Sequence, residues 1–244
     1  MTRFGLIGKQ LSYSFSKKYF DNKFEKENIS NASYELFELA GISEFPDLIK
    51  QMGNDFGGLN VTIPYKKAVI PYLDELDVIA QKIGAVNVIK KVNGKLIGYN
   101  SDYFGFKTAL ENWLDNTNKS ALILGTGGAS EAVSAVLDDL NIMTQFVSRS
   151  KGKNNLSYQE LNEAIIAKHQ LIINTTPLGT FPNINEKPEI PYQFLTNNHY
   201  LFDLVYNPTE TAFLKEGVSK GAKTKNGLEM LKQQAEEAWR IWNS

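Results

Sequence analysis

Ala121-Leu122-Ile123-Leu124-Gly125-Thr126-Gly127-Gly128-Ala129-Ser130 is the stretch that decides the fold. Four apolar residues read as a buried strand, the glycines as a turn, Gly128–Leu140 as a helix and Ile142–Val147 as a second strand. Gly125 permits the tight turn, and Gly127 lets backbone N–H groups approach a pyrophosphate. The helix beginning at Gly128 turns the positive end of its dipole toward that anion. The sixth position, usually a third glycine, is Ser130, so helix and strand must pack around a small side chain. A strand–helix turn without a ligand looks the same in isolation. Its place inside a strand–loop–helix–strand unit favours a dinucleotide phosphate site.

The end of the second strand bears on which dinucleotide. An NAD site usually has Asp or Glu there to bond the ribose 2′-OH. This chain has Ser148-Arg149-Ser150-Lys151-Gly152-Lys153, with three cations and no carboxylate. A guanidinium fork, a hydroxyl and an ammonium suit a 2′-phosphate, which predicts NADP. The alternative is a solvated basic turn.

Outward from this unit, short strands alternate with helical patterns, which predicts βαβ units and largely parallel sheets. In the first half Phe4–Ile7, Tyr34–Leu39 and Leu59–Ile63 read as strands. Phe45, Leu48, Ile49 and Met52 recur at helical spacing behind Ser43, a candidate N-cap. Val86–Val92 and Lys95–Tyr99 read as a hairpin turning at Asn93-Gly94. In the second half Phe106, Leu110 and Trp113 line a helix. Ser157-Tyr158-Gln159-Glu160 is a capping box expected to open another. Leu171–Asn174 and Tyr200–Val205 read as strands, and Leu228–Ile241 as a last amphipathic helix. The domain boundary is expected near Tyr99–Asp102.

The composition is that of an ordinary globular protein: 244 residues, 42% hydrophobic and 22% charged, with a net charge of -1. Such a balance offers no general attraction for nucleic acid or an anionic membrane. The absence of cysteine excludes disulfides, thiolate catalysis and cysteine-held metals. With only two histidines, His169 and His199, no metal site is expected. The N-terminal stretch lacks the long apolar core of a signal peptide, and no apolar run approaches membrane-spanning length. A cytoplasmic protein is expected.

Candidate chemistry lies at strand ends in the first half, where open α/β sheets place their ligands. Ser14 and Ser16 follow the first strand. Asn60, Thr62 and Lys66 lie on or just after the third, Asn87 starts the hairpin, and Asp102 follows it. A Lys/Asp pair can move a proton at an alcohol or ketone oxygen during hydride transfer. Each residue also has a plainer reading. Lys66 would do as an exposed lysine opening a helix, Asp102 as an N-cap, and the serines as turn residues. Tyr13–Lys17 and Tyr19–Lys23 show the Tyr-x-x-x-Lys spacing of short-chain dehydrogenases. Both precede the glycine loop, where that family's pair follows it, so the spacing is coincidental.

Several blocks together resemble shikimate dehydrogenase. They are Gly5–Gly8 leading to Leu11-Ser12-Tyr13-Ser14-Phe15-Ser16, Gly58-Leu59-Asn60-Val61-Thr62-Ile63-Pro64-Tyr65-Lys66, and Ile83-Gly84-Ala85-Val86-Asn87. The same order continues through Gly98–Gly105, the Gly125–Ser130 loop, and Asn226-Gly227-Leu228-Glu229-Met230-Leu231 with Gln234. The resemblance covers nearly the whole chain. It implies a two-domain α/β enzyme interconverting 3-dehydroshikimate and shikimate with NADPH in chorismate biosynthesis, as a monomer or homodimer. An N-terminal α/β substrate domain would span residues 1–101 and a doubly wound, Rossmann-type NADP domain residues 102–225. The helix in 226–244 would return to the substrate domain. Lys66 and Asp102 would be the catalytic pair. Ser14, Ser16, Thr62, Asn87 and Gln234 would hold the substrate, with Asn60 and Tyr206 bordering it. Gly125, Thr126, Gly127, Gly128, Ala129 and Ser130 would cradle the pyrophosphate. Ser148, Arg149, Ser150 and Lys153 would meet the 2′-phosphate, and Gly227 the nicotinamide. Tyr13, Lys17 and Phe20 depart from the family's first motif, Ser148 stands where Asn is common, and Lys153 where Arg is common.

Overall fold

The computed structural model describes residues 1–11, 14–115 and 120–244. Tyr13, and with it the Tyr13–Lys17 spacing, lies outside the described residues. The chain divides into two compact units, Met1–Phe104 with Gln234–Ser244, and Gly105–Gln233.

The first unit holds β1 (Thr2–Gly8), α1 (Phe15–Lys26), β2 (Ala32–Glu38), α2 (Phe45–Met52), β3 (Phe56–Val61), α3 (Tyr65–Ala68), β4 (Glu75–Leu76), α4 (Val78–Ile83), β5 (Val88–Val92) and β6 (Lys95–Tyr99). Their six-stranded sheet runs β2-β1-β3-β5-β6-β4. β1 is parallel to both β2 and β3, whereas β5 runs antiparallel to β3 and β6. This sheet is therefore mixed, because a two-residue Asn93-Gly94 turn can only reverse the chain. Asn93 and Gly94 both adopt the positive φ that such a turn needs, at 51° and 85°. Ser43 does not cap α2. It sits inside a 3₁₀ turn, Ile42–Glu44, and Pro46 in the first turn of α2 has no N–H needing a cap.

The second unit holds β7 (Ser120–Leu124), α6 (Gly128–Asp139), β8 (Met143–Ser148), β9 (Asn155–Ser157), α7 (Glu163–Lys168), β10 (Leu171–Asn174), β11 (Tyr200–Asp203), α8 (Ala212–Ser219) and β12 (Lys223–Asn226). Its six strands run β12-β11-β10-β7-β8-β9, all parallel. The order turns back on itself at β7, the doubly wound arrangement in which ligands bind beyond the strands' C-terminal ends. The central strands β7, β10 and β11 are buried throughout, as parallel strands covered on both faces must be. The Ser157–Glu160 capping box forms, but it closes only a 3₁₀ turn. α7 starts later, behind Asn162, whose Oδ1 accepts the Ile165 N–H.

α5 (Ser101–Glu111) and α9 (Leu228–Asn243) run across the division between the units. The last turns of α9 belong to the first unit's core. Ala235, Ala238, Ile241 and Trp242 pack with Phe4, Phe20, Phe24 and Tyr34. Trp242 Nε1 donates to the Ile89 carbonyl at 3.1 Å. A Cβ at Gly58 would stand 2.2 Å from that indole nitrogen, so only glycine lets the helix seat there. Burying one large apolar side chain contributes roughly 1.5–3 kcal/mol, enough for this cluster to hold the helix end firmly.

Candidate active site

In the first unit, the C-terminal ends of β1 and β3 lie side by side. The Thr62 N–H donates to the Ile7 carbonyl and the Val61 N–H to the Asn87 carbonyl, each at 2.9 Å. α1 starts just beyond β1, and Ser14 is its N-cap, accepting from the Lys17 N–H at 3.3 Å. Ser14, Ser16 and Thr62 are all half-buried.

Lys66 is on α3 and Asp102 in the first turn of α5. Lys66 Nζ donates to Asp102 Oδ2 at 2.6 Å, with the side chains 19% and 13% exposed. Neither plainer reading holds. The lysine is not out in solvent, and Asp102 lies within the first turn of α5 with its carboxylate on the lysine. A paired ammonium this sheltered can deliver a proton to a bound oxygen, and the neutral amine it leaves can take one back.

Beside the pair runs a buried polar chain. The Ser101 N–H donates to Asn87 Oδ1 at 2.7 Å, and Asn87 Nδ2 donates to Ser101 Oγ at 3.1 Å. The Ser101 hydroxyl has two acceptors at 3.3 Å, Asn87 Oδ1 and Gln234 Oε1 on α9. Asn60 turns its amide inward, accepting from Tyr34 Oη at 2.7 Å and donating to the Asn87 carbonyl at 3.2 Å. Tyr34 also hydrogen-bonds Ser16, and its burial raises the phenol's pKa strongly. The sequence reading passed over Tyr34 and Ser101. Tyr34 looked like one more apolar strand residue, and Ser101 was hidden by its charged neighbour.

The second unit carries the glycine loop. Gly125 has φ of 109°, which disfavours any residue with a Cβ, and a Cβ there would reach within 2.8 Å of Thr175 Oγ1. At Gly127 and Gly128 a Cβ would meet nothing within 4 Å, so the loop faces open space. No side chain caps α6, whose N-cap is Gly127. The Ser130 N–H bonds the Gly127 carbonyl at 3.0 Å, and no side chain takes up the N–H groups ahead of it, which suits an anion at this helix start. Ser130 is buried and donates to the Gly127 carbonyl at 2.6 Å, so the serine in the third glycine's place braces the loop from behind. Gly125, Thr126 and Gly127 join Ser148, Arg149, Tyr158 and Thr175–Leu178 around a cavity of about 430 Å³.

The basic turn 149–154 connects β8 to β9 at one edge of this cavity. Asn155 Nδ2 donates to Ser148 Oγ and to the Ser150 carbonyl, both at 2.8 Å, holding the turn in shape. Lys151 is tied to Glu160. Arg149 and Lys153 are exposed and have no carboxylate partner among the described residues. Burial lifts the Tyr158 phenol to about 12, and the nearby Arg149 charge opposes the rise. Across the same sheet, a Cβ on Gly227 would fall 2.1 Å from the Leu204 carbonyl oxygen, so this position accepts glycine alone. Tyr206, two residues on from Leu204, is half-buried, which raises its phenol's pKa. An uncapped helix start, a Cβ-free cradle and two unpaired cations together fit a phosphorylated dinucleotide.

The family model of the shikimate dehydrogenase substrate binding domain matches residues 6–89. The NADP(+) shikimate dehydrogenase of Clostridium beijerinckii is 39% identical over 255 residues, covering 99% of this chain and 92% of that protein. The chain belongs to the shikimate dehydrogenase family. Solved shikimate dehydrogenases agree along the whole length. The Peptoclostridium difficile shikimate dehydrogenase 1 is 41% identical with a TM-score of 0.86, covering 100% of this chain and 92% of that one. The Thermus thermophilus enzyme in complex with NADP(H) and shikimate is 30% identical with a TM-score of 0.87, over 99% and 93% of the two chains. The mixed first sheet and the parallel second sheet are thus those of a shikimate dehydrogenase, with a substrate domain and a Rossmann-type domain. No described helix is long and apolar enough to cross a membrane.

Proposed function

We propose that this protein catalyses the reversible reduction of 3-dehydroshikimate to shikimate with NADPH, a step toward chorismate and the aromatic amino acids. The observation that carries the reading is the sheltered Lys66–Asp102 pair beside the Asn87–Ser101–Gln234 chain. It places an acid–base group next to aligned hydrogen-bonding side chains, as a small polyol acid needs.

When bound, NADPH supplies the hydride. Lys66 donates a proton to the substrate oxygen as negative charge builds there, and in the oxidation it takes the hydroxyl proton back. Asp102 fixes the ammonium and bonds the same hydroxyl. Ser14, Ser16, Thr62, Asn87 and Gln234 hold the carboxylate and the remaining hydroxyls, with Asn60 and Tyr206 at the border. Gly125–Ser130 seat the pyrophosphate, and Gly227 adjoins the nicotinamide. Ser148, Arg149, Ser150 and Lys153 hold the 2′-phosphate. Because Lys153 is a point charge and not a fork, Arg149 carries the larger share of that recognition. We take residues 1–101 with the returning helix in 226–244 as the substrate domain and 102–225 as the cofactor domain. The protein acts in the cytoplasm as a monomer or homodimer, without nucleic acid.

Mixing the protein with shikimate and NADP, and following the near-ultraviolet absorbance of reduced nicotinamide, tests the proposal. Turnover with shikimate and NADP well above that with quinate or NAD is expected. Turnover only with NAD and quinate would reassign it to a quinate-type enzyme. Binding of NADP with no turnover of any such substrate would make it a dinucleotide sensor.

A further inference from the structure

Behind the loops that carry Tyr206 and Gly227 lies a carboxylate for which the chemistry above has no use. Asp203 ends β11 and is fully buried. Three donors converge on it. Asn174 Nδ2 and the Val205 N–H reach Oδ1 at 2.9 and 3.0 Å, and Thr211 Oγ1 reaches Oδ2 at 2.5 Å.

Each of these partners leads to a different loop at the C-terminal edge of the second unit's sheet. Thr211 caps α8, accepting the Leu214 N–H. Asn174 uses its own Oδ1 to hold the N–H and hydroxyl of Thr176, at 3.0 and 2.6 Å, and Thr176 lines the cavity beside the glycine loop. The Asn174 carbonyl accepts the Leu204 N–H at 3.0 Å. Val205 opens the segment that reaches Tyr206, and its carbonyl accepts the Gly227 N–H at 3.2 Å.

Burial opposes ionisation here and pushes the Asp203 carboxyl up to about 6. A side chain wanted only for packing would avoid that cost. All three partners are donors, so what the site requires is an acceptor with two well-placed oxygens.

We propose that Asp203 is a positioning residue whose carboxylate fixes the Leu204–Tyr206 segment, and through it the placing of Tyr206 and of the backbone against which Gly227 rests. The proposal rests on the reading of Tyr206 as a substrate contact. Asp203 touches neither substrate nor cofactor.

The test compares Asp203→Ala, Asp203→Asn, Tyr206→Phe and the Asp203→Ala/Tyr206→Phe double variant in the full chain. Asparagine keeps an oxygen for Asn174 and Val205, and the Thr211 hydroxyl can turn to accept its amide. Asp203→Ala is expected to raise KM for shikimate ~10-fold with a smaller change in kcat, and Asp203→Asn to bring KM back to within about threefold. In the Tyr206→Phe background, Asp203→Ala should add almost nothing, because both changes remove one contact. Two effects that multiply would overturn the proposal.

Hydrogen exchange of the amides at 204–207 reads positioning without reference to substrate. It should speed up ~10-fold in Asp203→Ala and recover in Asp203→Asn. Unchanged exchange would overturn the proposal. If Tyr206→Phe leaves the shikimate KM unaltered, the reading of Tyr206 falls, and exchange alone decides the role of Asp203. Should Asp203→Ala fail to fold, Thr211→Val, which leaves Oδ2 without its donor and α8 without its side-chain cap, takes its place, with exchange in the first turn of α8 followed as the control for the lost cap. Faster exchange at 204–207 in that variant would uphold the proposal, and wild-type exchange would overturn it.

Discussion

Ser101 Oγ and Gln234 Oε1 share a hydrogen bond of 3.3 Å across 133 positions of sequence. The bond joins the start of α5, where the chain leaves the first unit, to α9, where it comes back. Trp242 and its neighbours hold the end of α9 in the aromatic core, so Gln234 is set on a helix anchored from below. Asn87 completes the arrangement by fixing the Ser101 hydroxyl, which in turn orients the Gln234 amide.

Gln234→Ala is therefore expected to weaken substrate binding and leave the fold intact. Losing one hydrogen bond to a bound hydroxyl or carboxylate should raise KM for shikimate ~10-fold, with kcat changing less. Ser101→Ala should show part of the same effect, because it removes one hydrogen bond to the amide and leaves the amide itself. Steady-state kinetics decides the matter, with thermal unfolding as the control. A Gln234→Ala enzyme with unaltered KM would place the residue outside the substrate site.

The strands with apolar runs were legible because burial selects their residues directly. β7, β10 and β11 appear in the structure within a residue or two of where hydrophobicity puts them. β12 was not legible. Its Lys-Thr-Lys-Asn sequence is that of an edge strand, and only its pairing with β11 makes it a strand. α1 was missed for a related reason. Its twelve residues bury only Phe20 and Phe24, too few for a clear helical period. The functional side chains divide similarly. Lys66 and Asp102 are of types that can move a proton, but type alone left each a plainer reading, and their pairing spans 36 positions and is a tertiary fact. Asn155 and Asp203 bond neighbouring loops and not a ligand, and nothing in their residue types or spacing marks that.

Cofactor choice gives a second prediction. Arg149 is exposed, without a carboxylate partner, and stands at the rim of the cavity beyond the glycine loop. Arg149→Ala should remove a charge-assisted contact made only to the 2′-phosphate and raise KM for NADP by ~10-fold or more. KM for NAD should hardly move. Equal losses with both cofactors would make the residue structural and undo the assignment of NADP to this turn.

The titration of Asp203 gives a third. Its folded-state carboxyl, at about 6, binds a proton more tightly than an ordinary aspartate at 3.8. The folded state therefore gains from protonation, and this group's contribution to stability declines as pH rises from about 4 to about 6. Asp203→Asn lacks that titration. Between pH 7.5 and pH 5 the wild type should gain about 1 kcal/mol relative to the variant, measured by denaturant unfolding. A stability gap that is the same at both pH values would show that Asp203 does not titrate in this window.

The chemistry itself turns on Lys66. Its ammonium lies 2.6 Å from Asp102, which holds it in one place, and the proposed reaction has it deliver a proton from there to a substrate oxygen. Hydride arrival puts negative charge on that oxygen, and a positioned cation stabilises it most when the charge is fully developed. Lys66→Met keeps much of the apolar stem and removes the charge and the proton. The expected fall in kcat is ~10²–10⁴-fold, the usual scale of acid–base assistance. KM for shikimate should change far less, because the loss falls on the transition state. Asp102→Asn should show a smaller fall, since an amide oxygen still accepts from the lysine but no longer balances its charge. NADP binding and circular dichroism should stay near wild type in both variants, which separates lost chemistry from lost fold. A folded Lys66→Met enzyme that binds NADP and turns over within a few-fold of wild type would remove Lys66 from the reaction and leave its ion pair with Asp102 a purely structural one.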